Sequence, residues 1–294
     1  MPHLHHIHAM TVLRAQPFTP EEIALIEAAA ESLPWEQLSP MIEGLQFPHT
    51  AEKAKNDAYA LIAHQDAQHK GLAGVCVLAA AMYGSAVRFA ALGISQKVLH
   101  DTFCCLHRMA GEYRREFGCL GFDRGFWVWR QACLRIVRLG TLEYEYLLLD
   151  EEDAGELGLA VGTPVLSVHI PTGADLSREA LDDSYAQARA FFAAHPQLCP
   201  PDGKEPAITF CSSWLLCPTL RTLLKENSGI RRFAEDFELH HFREKSNSFV
   251  HFLFWANADT PAADLPEDTS LQRAVKAHLL TGGNIGSACG LLKR

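Results

Sequence analysis

The sequence predicts an α+β chain, with a helical N-terminal domain followed by a mixed β-sheet domain flanked by helices. Three observations predict it. Residues 19–115 place apolar side chains at helical spacing and show no strand-like alternation. Near Trp127 the pattern changes to period two. Residues 165–177 then read as a strand, a glycine turn and a capped helix start.

In chain order, the first ten residues hold His3, His5, His6 and His8 and read as a flexible, tag-like terminus, so residues 1–18 are set apart. Thr19, Pro20, Glu21 and Glu22 form an N-cap, a first-turn proline and an acidic first turn. Further helices are expected over 51–68 and 72–92. Ser95 caps a helix with Val98, Leu99, Thr102, Phe103, Leu106 and Met109 on one side. The helical domain is bounded at 19–126 and the sheet domain at 127–294.

Segments 134–140 and 141–147 alternate like paired strands, and 165–170 is a third strand. In it Val165, Ser167 and His169 face one side, and Leu166, Val168 and Ile170 the other. Pro171 has no amide donor and ends the ladder, and Gly173 allows a sharp turn. Ser177 caps the next helix, with Leu176 and Leu181 at the positions of a hydrophobic staple. That helix runs over 178–195 with Leu181, Tyr185, Ala188 and Phe192 on its apolar face. Segment 207–214 is a strand, 230–237 a helix, and 238–242 with 249–255 a closing antiparallel hairpin. A loop over 257–269 precedes a last helix over 270–280.

The 294 residues suffice for roughly two domains. With 26 basic and 35 acidic residues the formal charge is −9, which argues against a large nucleic-acid surface. Nine cysteines, an odd number without a Cys-x-x-Cys pair, read as buried free thiols of a reducing compartment. No secretory signal is visible, and the uncharged segment 71–87 is short for a membrane span and reads as a buried helix. A cytoplasmic protein with no membrane partner is expected.

The order β-β-β-α-β-α-β-β, with a glycine turn after the third strand, resembles the GNAT acyl-CoA N-acyltransferase fold. The chain is similar in particular to bacterial acyltransferase-like proteins with a helical N-terminal domain and a GNAT-like C-terminal domain. Tyr83 with Gly93-Ile94-Ser95 and Asp101-Thr102 carries the first part of this resemblance. Arg138-Leu139-Gly140-Thr141-Leu142-Glu143-Tyr144-Glu145, His169-Ile170-Pro171-Thr172-Gly173 and Cys211-Ser212-Ser213-Trp214-Leu215-Leu216 continue it. Asn227-Ser228-Gly229-Ile230, Phe233, Phe237 and Ser270-Leu271-Gln272-Arg273 complete it over about residues 80–290. The usual pyrophosphate signature, Gln/Arg-x-x-Gly-x-Gly/Ala, is absent, and only Gly173-Ala174 stands in its loop.

The resemblance implies transfer of an acyl group, with acetyl expected, from acetyl-CoA or another acyl-CoA to a small amine. It implies that the third strand and the next splay apart around the cofactor arm. Backbone groups of Val168 and Ile170 would then hold the acyl and pantetheine portions, with Thr172, Gly173 and Ala174 near the pyrophosphate.

His169, at the strand end, is the candidate base because its ordinary pKa suits proton transfer near neutrality. The alternative is a histidine that fixes the turn or covers the sheet. Glu143 and Glu145 share one strand face, which like charges two apart usually mark as solvated. If that face lines the cleft, Glu145 is a candidate to take the proton through water or to bind a cationic amine. Ser213 is a candidate proton donor to the leaving thiolate, with capping of the next helix as its plainer job. No tyrosine follows Tyr185, so the tyrosine acid frequent in related enzymes has no counterpart there. No metal ligand set is expected, since His64 and His69 are five apart and His240 and His241 point to opposite faces. A non-catalytic GNAT-like acyl-CoA or small-molecule binding protein is the second reading.

Overall fold

A computed structural model describes residues 3–199 and 206–293. Contacts divide the chain into two compact units, residues 1–138 and 139–294, each described by itself. The boundary expected at 126/127 thus lies twelve residues earlier than the observed one, because the helix Gly125–Ala132 and most of the first strand belong with the helical unit.

The helical unit is organised around the helix Leu72–Ala90. Its Ala, Gly and aliphatic residues leave it apolar on every side, so it is stable only when surrounded. Thirteen of its residues are buried. By length and composition alone this helix could cross a membrane, yet most of it is enclosed by its own unit. The helices Leu4–Arg14, Pro20–Glu31, Trp35–Gly44 and Gly125–Ala132 pack against it. Thr19 and Glu22 make a reciprocal capping box at the start of the second of these. The single helix expected over 51–68 is two, Pro48–Leu61 and Ala63–Gln68, and the helix capped by Ser95 divides at Cys104.

The expectation of a flexible first segment is corrected. Residues Leu4–Arg14 are helical, with Ala9, Met10 and Leu13 buried. The histidines that made this stretch look like a tag are packing groups. His8 stacks on Tyr83 at 4.0 Å, His6 stacks on Trp35 at 5.9 Å, and His5 Nε2 lies 2.9 Å from Ser39 Oγ. Among the described residues no three His, Cys, Asp or Glu side chains converge as a metal site. All nine cysteines are free thiols, seven of them buried.

The second unit holds five strands of a six-stranded sheet, β2 (Leu142–Leu148), β3 (Pro164–His169), β4 (Ile208–Ser213), β5 (Phe237–Arg243) and β6 (Ser287–Leu292); the first strand, β1 (Ile136–Leu139), falls mostly in the helical unit. Their order across the sheet is β1-β2-β3-β4-β6-β5. β3 and β4 are parallel, whereas β2–β3, β4–β6 and β5–β6 are antiparallel. One face packs on the helix Arg178–Ala194, whose Ser184 Oγ lies 3.0 Å from the Tyr144 hydroxyl. On the other face Val165, Phe210 and Cys289 pack with Ala154 and Leu157 of the helix Glu151–Leu157.

The closing hairpin is also corrected. Residues expected as its second strand form the helix Ser248–Phe254, with Phe249, Val250 and Phe254 buried, and Trp255 ends it at φ +54°. The partner of β5 is β6, whose small residues Ser287, Ala288, Cys289 and Gly290 carry little strand signal.

Burial holds His5, His8, His107 and His195 below the ordinary 6.5. The unfolded chain therefore binds more protons than the folded one just below that value, and stability falls as pH drops through it. Scanning calorimetry is expected to show Tm decreasing between about pH 7.5 and 5.5, with a shallower slope for His8→Phe, which keeps a ring on Tyr83 but cannot be charged. A flat or rising Tm over that interval would contradict this account.

Candidate active site

The ladder between β3 and β4 stops early. Pairing runs from Val165–Ile208 to Ser167–Phe210, yet β3 continues to His169 and β4 to Ser213. On its other edge β3 stays paired with β2 as far as His169, which stands opposite Glu143. Backbone groups of residues 168–170 that face β4 thus lie beyond the shared ladder, and a backbone polar group needs some partner. Such a wedge accepts an extended polar arm in the manner of an added strand.

Residues in register share a face, so Glu143, Glu145, Ser167 and His169 stand together with Phe210 and Ser212. Glu145 and His169 are diagonal neighbours across β2 and β3, within reach of each other. His169 Nε2 lies 3.0 Å from Glu145 Oε2, with side-chain exposures of 22% and 2%. An ionised carboxylate only accepts, so an ionised Glu145 would be met by a proton on His169 Nε2. The expected solvated face is corrected: Glu143 and Glu145 are each 2% exposed. The sequence singled out both members of the pair but not their contact, which depends on the β2–β3 register.

Ser213 stands apart from this pair. Alternation puts it on the opposite face of β4, where its Oγ accepts from Leu215 N at 3.2 Å and caps the short turn Trp214–Leu216. Ser212 shares the face of His169, but its Oγ accepts from Arg243 Nη1 at 2.8 Å. Arg243 Nε also donates to Glu156 Oε1 at 2.7 Å, which ties β4 and β5 to the helix Glu151–Leu157. Burial pushes the Cys211 thiol up, which leaves it a poor nucleophile.

Beyond β3, Ala174 N donates to Pro171 O at 3.0 Å and Gly173 has φ +80°. This is the geometry of a type II turn, in which the third residue favours glycine. Val168 is buried in the sheet, Ile170 and Thr172 are half-buried, and Gly173 is exposed. The amides around the helix start are largely committed: Ser177 N donates to Asp175 Oδ1 at 2.8 Å, and Ala180 N to Ser177 Oγ at 3.3 Å. The Asp175 carboxylate adds negative charge at this point. The loop is a tight turn into a capped helix.

A buried carboxylate fixes the same helix. Arg178 Nη1 donates to Asp236 Oδ1 and Oδ2 at 2.9 and 3.0 Å, and the Tyr185 hydroxyl donates to Oδ2 at 3.1 Å. Burial, reinforced by the Asp236 charge, pushes the Tyr185 hydroxyl up. The Asp236 carbonyl in turn accepts from Lys293 N at 2.9 Å. Together these bonds fasten the Arg178–Ala194 helix to the β5–β6 end of the unit, and with it the turn that follows β3.

The mixed sheet with its parting parallel strands is that of a GNAT-like domain. The chain belongs to the family defined by the GNAT-like C-terminal domain, which matches residues 136–292, and it carries an N-acyltransferase N-terminal domain over residues 8–134. No curated protein matches it. Among solved structures it is similar to an acyltransferase in complex with decanoyl-CoA, at 24% identity and a TM-score of 0.77, covering 97% of this chain and 87% of that one. The same values hold for an acyltransferase in complex with CoA and 10C-teicoplanin. An acyltransferase in complex with decanoyl-CoA and teicoplanin gives 23% identity and a TM-score of 0.66, covering 97% of this chain and 98% of that one. These likenesses establish a shared fold.

Asp236→Ala is expected to destabilise the protein by about 2 kcal/mol, since it removes charge-assisted bonds and leaves Arg178 and Tyr185 without their acceptor. Urea unfolding of the variant measures this, and an unchanged midpoint would refute the role assigned to Asp236. Gly173→Ala meets nothing within 4 Å, so its cost is that of the left-handed backbone alone, about 1 kcal/mol.

Proposed function

We propose that the protein is an acyl-CoA-dependent N-acyltransferase in which His169 is the general base and Glu145 orients it. The observation that carries this is the 3.0 Å pair of His169 and Glu145, placed where β3 and β4 part. The thioester arm lies along the β3 edge past Ser167, so that an amide of that edge meets the developing oxyanion. His169 takes a proton from the attacking amine, and the protonated ring then delivers it to the departing CoA thiolate. An amide bond forms, the thioester bond breaks, and free CoA leaves. Ser213 has no part in this sequence, because it lies on the opposite face and is engaged in its cap.

The family supports acyl transfer to nitrogen, and the structural neighbours solved with acyl-CoAs support that donor class. Neighbours holding decanoyl-CoA, and a mutant holding octanoyl-CoA, favour a chain longer than acetyl. A small amine remains the simplest acceptor, and the neighbour solved with teicoplanin supports a bulkier one. A second reading, an acyl-CoA binder without turnover, is favoured by the committed amides at the turn after β3.

The test follows CoA release with acetyl-, octanoyl- and decanoyl-CoA against small amines and teicoplanin. Release is expected, with His169→Ala lowering kcat by at least about 10²-fold at a nearly unchanged KM for acyl-CoA. Glu145→Gln is expected to lower kcat less, because it disturbs only the ring's orientation and charge. A rise in Tm with acyl-CoA but no release with any acceptor would select the binder reading. No response to any acyl-CoA would refute both.

A further inference from the structure

The helical unit has an open cleft of about 570 Å³ that acyl transfer by the sheet unit does not employ. Its walls come from two stretches of chain, with Tyr59, Asp66 and Lys70 on one side and Tyr113, Phe122 and Asp123 on the other. The walls are held firmly. Phe122 N donates to Lys70 O at 2.8 Å, and Lys70 adopts φ +52° beside Gly71 at +84°. Any Cβ on Gly71 would lie 1.6 Å from the Phe122 carbonyl oxygen.

The charges in this cleft are opposite in sign but not paired with each other. Lys70 Nζ makes one hydrogen bond, to Cys119 Sγ at 3.3 Å, and a thiol is a weak acceptor for an ammonium. No ion pair joins Lys70 to Asp66 or Asp123 among the described residues. Asp66 Oδ1 accepts from Gly74 N at 2.7 Å, while Oδ2 makes no hydrogen bond among the described residues. Asp123 is engaged by Arg124 at 3.1 Å. The Tyr59 hydroxyl, wholly shielded, has no hydrogen-bond partner there either. Buried or half-buried polar groups in this condition are costly unless something satisfies them.

A cation and an anion that are not paired with each other, on one wall of a cleft and faced by aromatic residues on the other, complement a ligand that itself carries both charges. We propose that this cleft binds a zwitterionic amino acid with an aromatic side chain, its carboxylate on Lys70, its ammonium on Asp66 and its ring against Tyr113 and Phe122. Neither charge of the ligand then enters without a counterpart, and the rings supply stacking area. Burial raises the Asp66 pKa, and a bound ammonium opposes that shift, so binding is also expected to release protons at mildly acidic pH.

The test uses the whole chain without acyl-CoA, so that its failure leaves the acyl-transfer reading untouched. Calorimetry compares L-phenylalanine with phenethylamine, which lacks the carboxylate, and 3-phenylpropionate, which lacks the ammonium. Phenylalanine is expected to bind at least about tenfold tighter than either. Lys70→Gln and Asp66→Asn are each expected to weaken it about tenfold, the Asn oxygen still accepting from Gly74 N. Lys70 is exposed, so its variant stays informative if the Asp66 variant fails to fold. Equal binding of the three compounds, no binding of phenylalanine at about 10 mM, or unchanged affinity in Lys70→Gln would overturn the proposal.

Discussion

The end of the β3–β4 ladder at Ser167 and Phe210 is the constraint on which the second unit depends. Parallel strands normally lie inside a sheet with both edges satisfied. Here β3 keeps β2 along one edge and loses β4 along the other just before its last two residues. Side chains then decide what the parted edge is for. Alternation delivers His169 and both buried glutamates to one face, and sends Val168 and Tyr144 to the core beneath the Arg178–Ala194 helix. The His169–Glu145 pair and the packing residues Val168 and Tyr144 are thus neighbours in sequence and separated by the thickness of the sheet.

The wedge is held open from outside itself. Asp236 anchors the helix that follows the β3 turn, and the Arg243–Glu156 pair anchors the end of β4 through Ser212. Each anchor is a charge-assisted contact at the rim of the sheet, made by residues other than His169 and Glu145. The carboxylates that hold the sheet rim, Asp236 and Glu156, are therefore distinct from Glu145, which contacts His169.

Much of this was legible in the sequence because it is local. Period-two alternation located β1 to β3, the Ser177 cap located its helix to within a residue, and Thr19 marked the start of Pro20–Glu31. His169 stood out by its place at a strand end. What could not be read required distant partners. Glu143 and Glu145 looked solvated, and their burial shows only once the chain is folded. The run Phe249-Val250-His251-Phe252-Leu253-Phe254 has the composition of a strand, and only its packing makes it a helix. The first helix was hidden by its own histidines, whose role as rings against Tyr83 and Trp35 appears only in three dimensions. Ser213 was read from its position alone, while alternation turned it away.

The insertion of β6 between β4 and β5 has a consequence for how the chain comes into being. Synthesis is vectorial, and the strand that joins those two edges is the last of the six to emerge. Until it does, the nascent sheet exposes two open margins, the kind of surface that invites mispairing with other chains. Gly290 and its small neighbours thus complete the sheet's interior last.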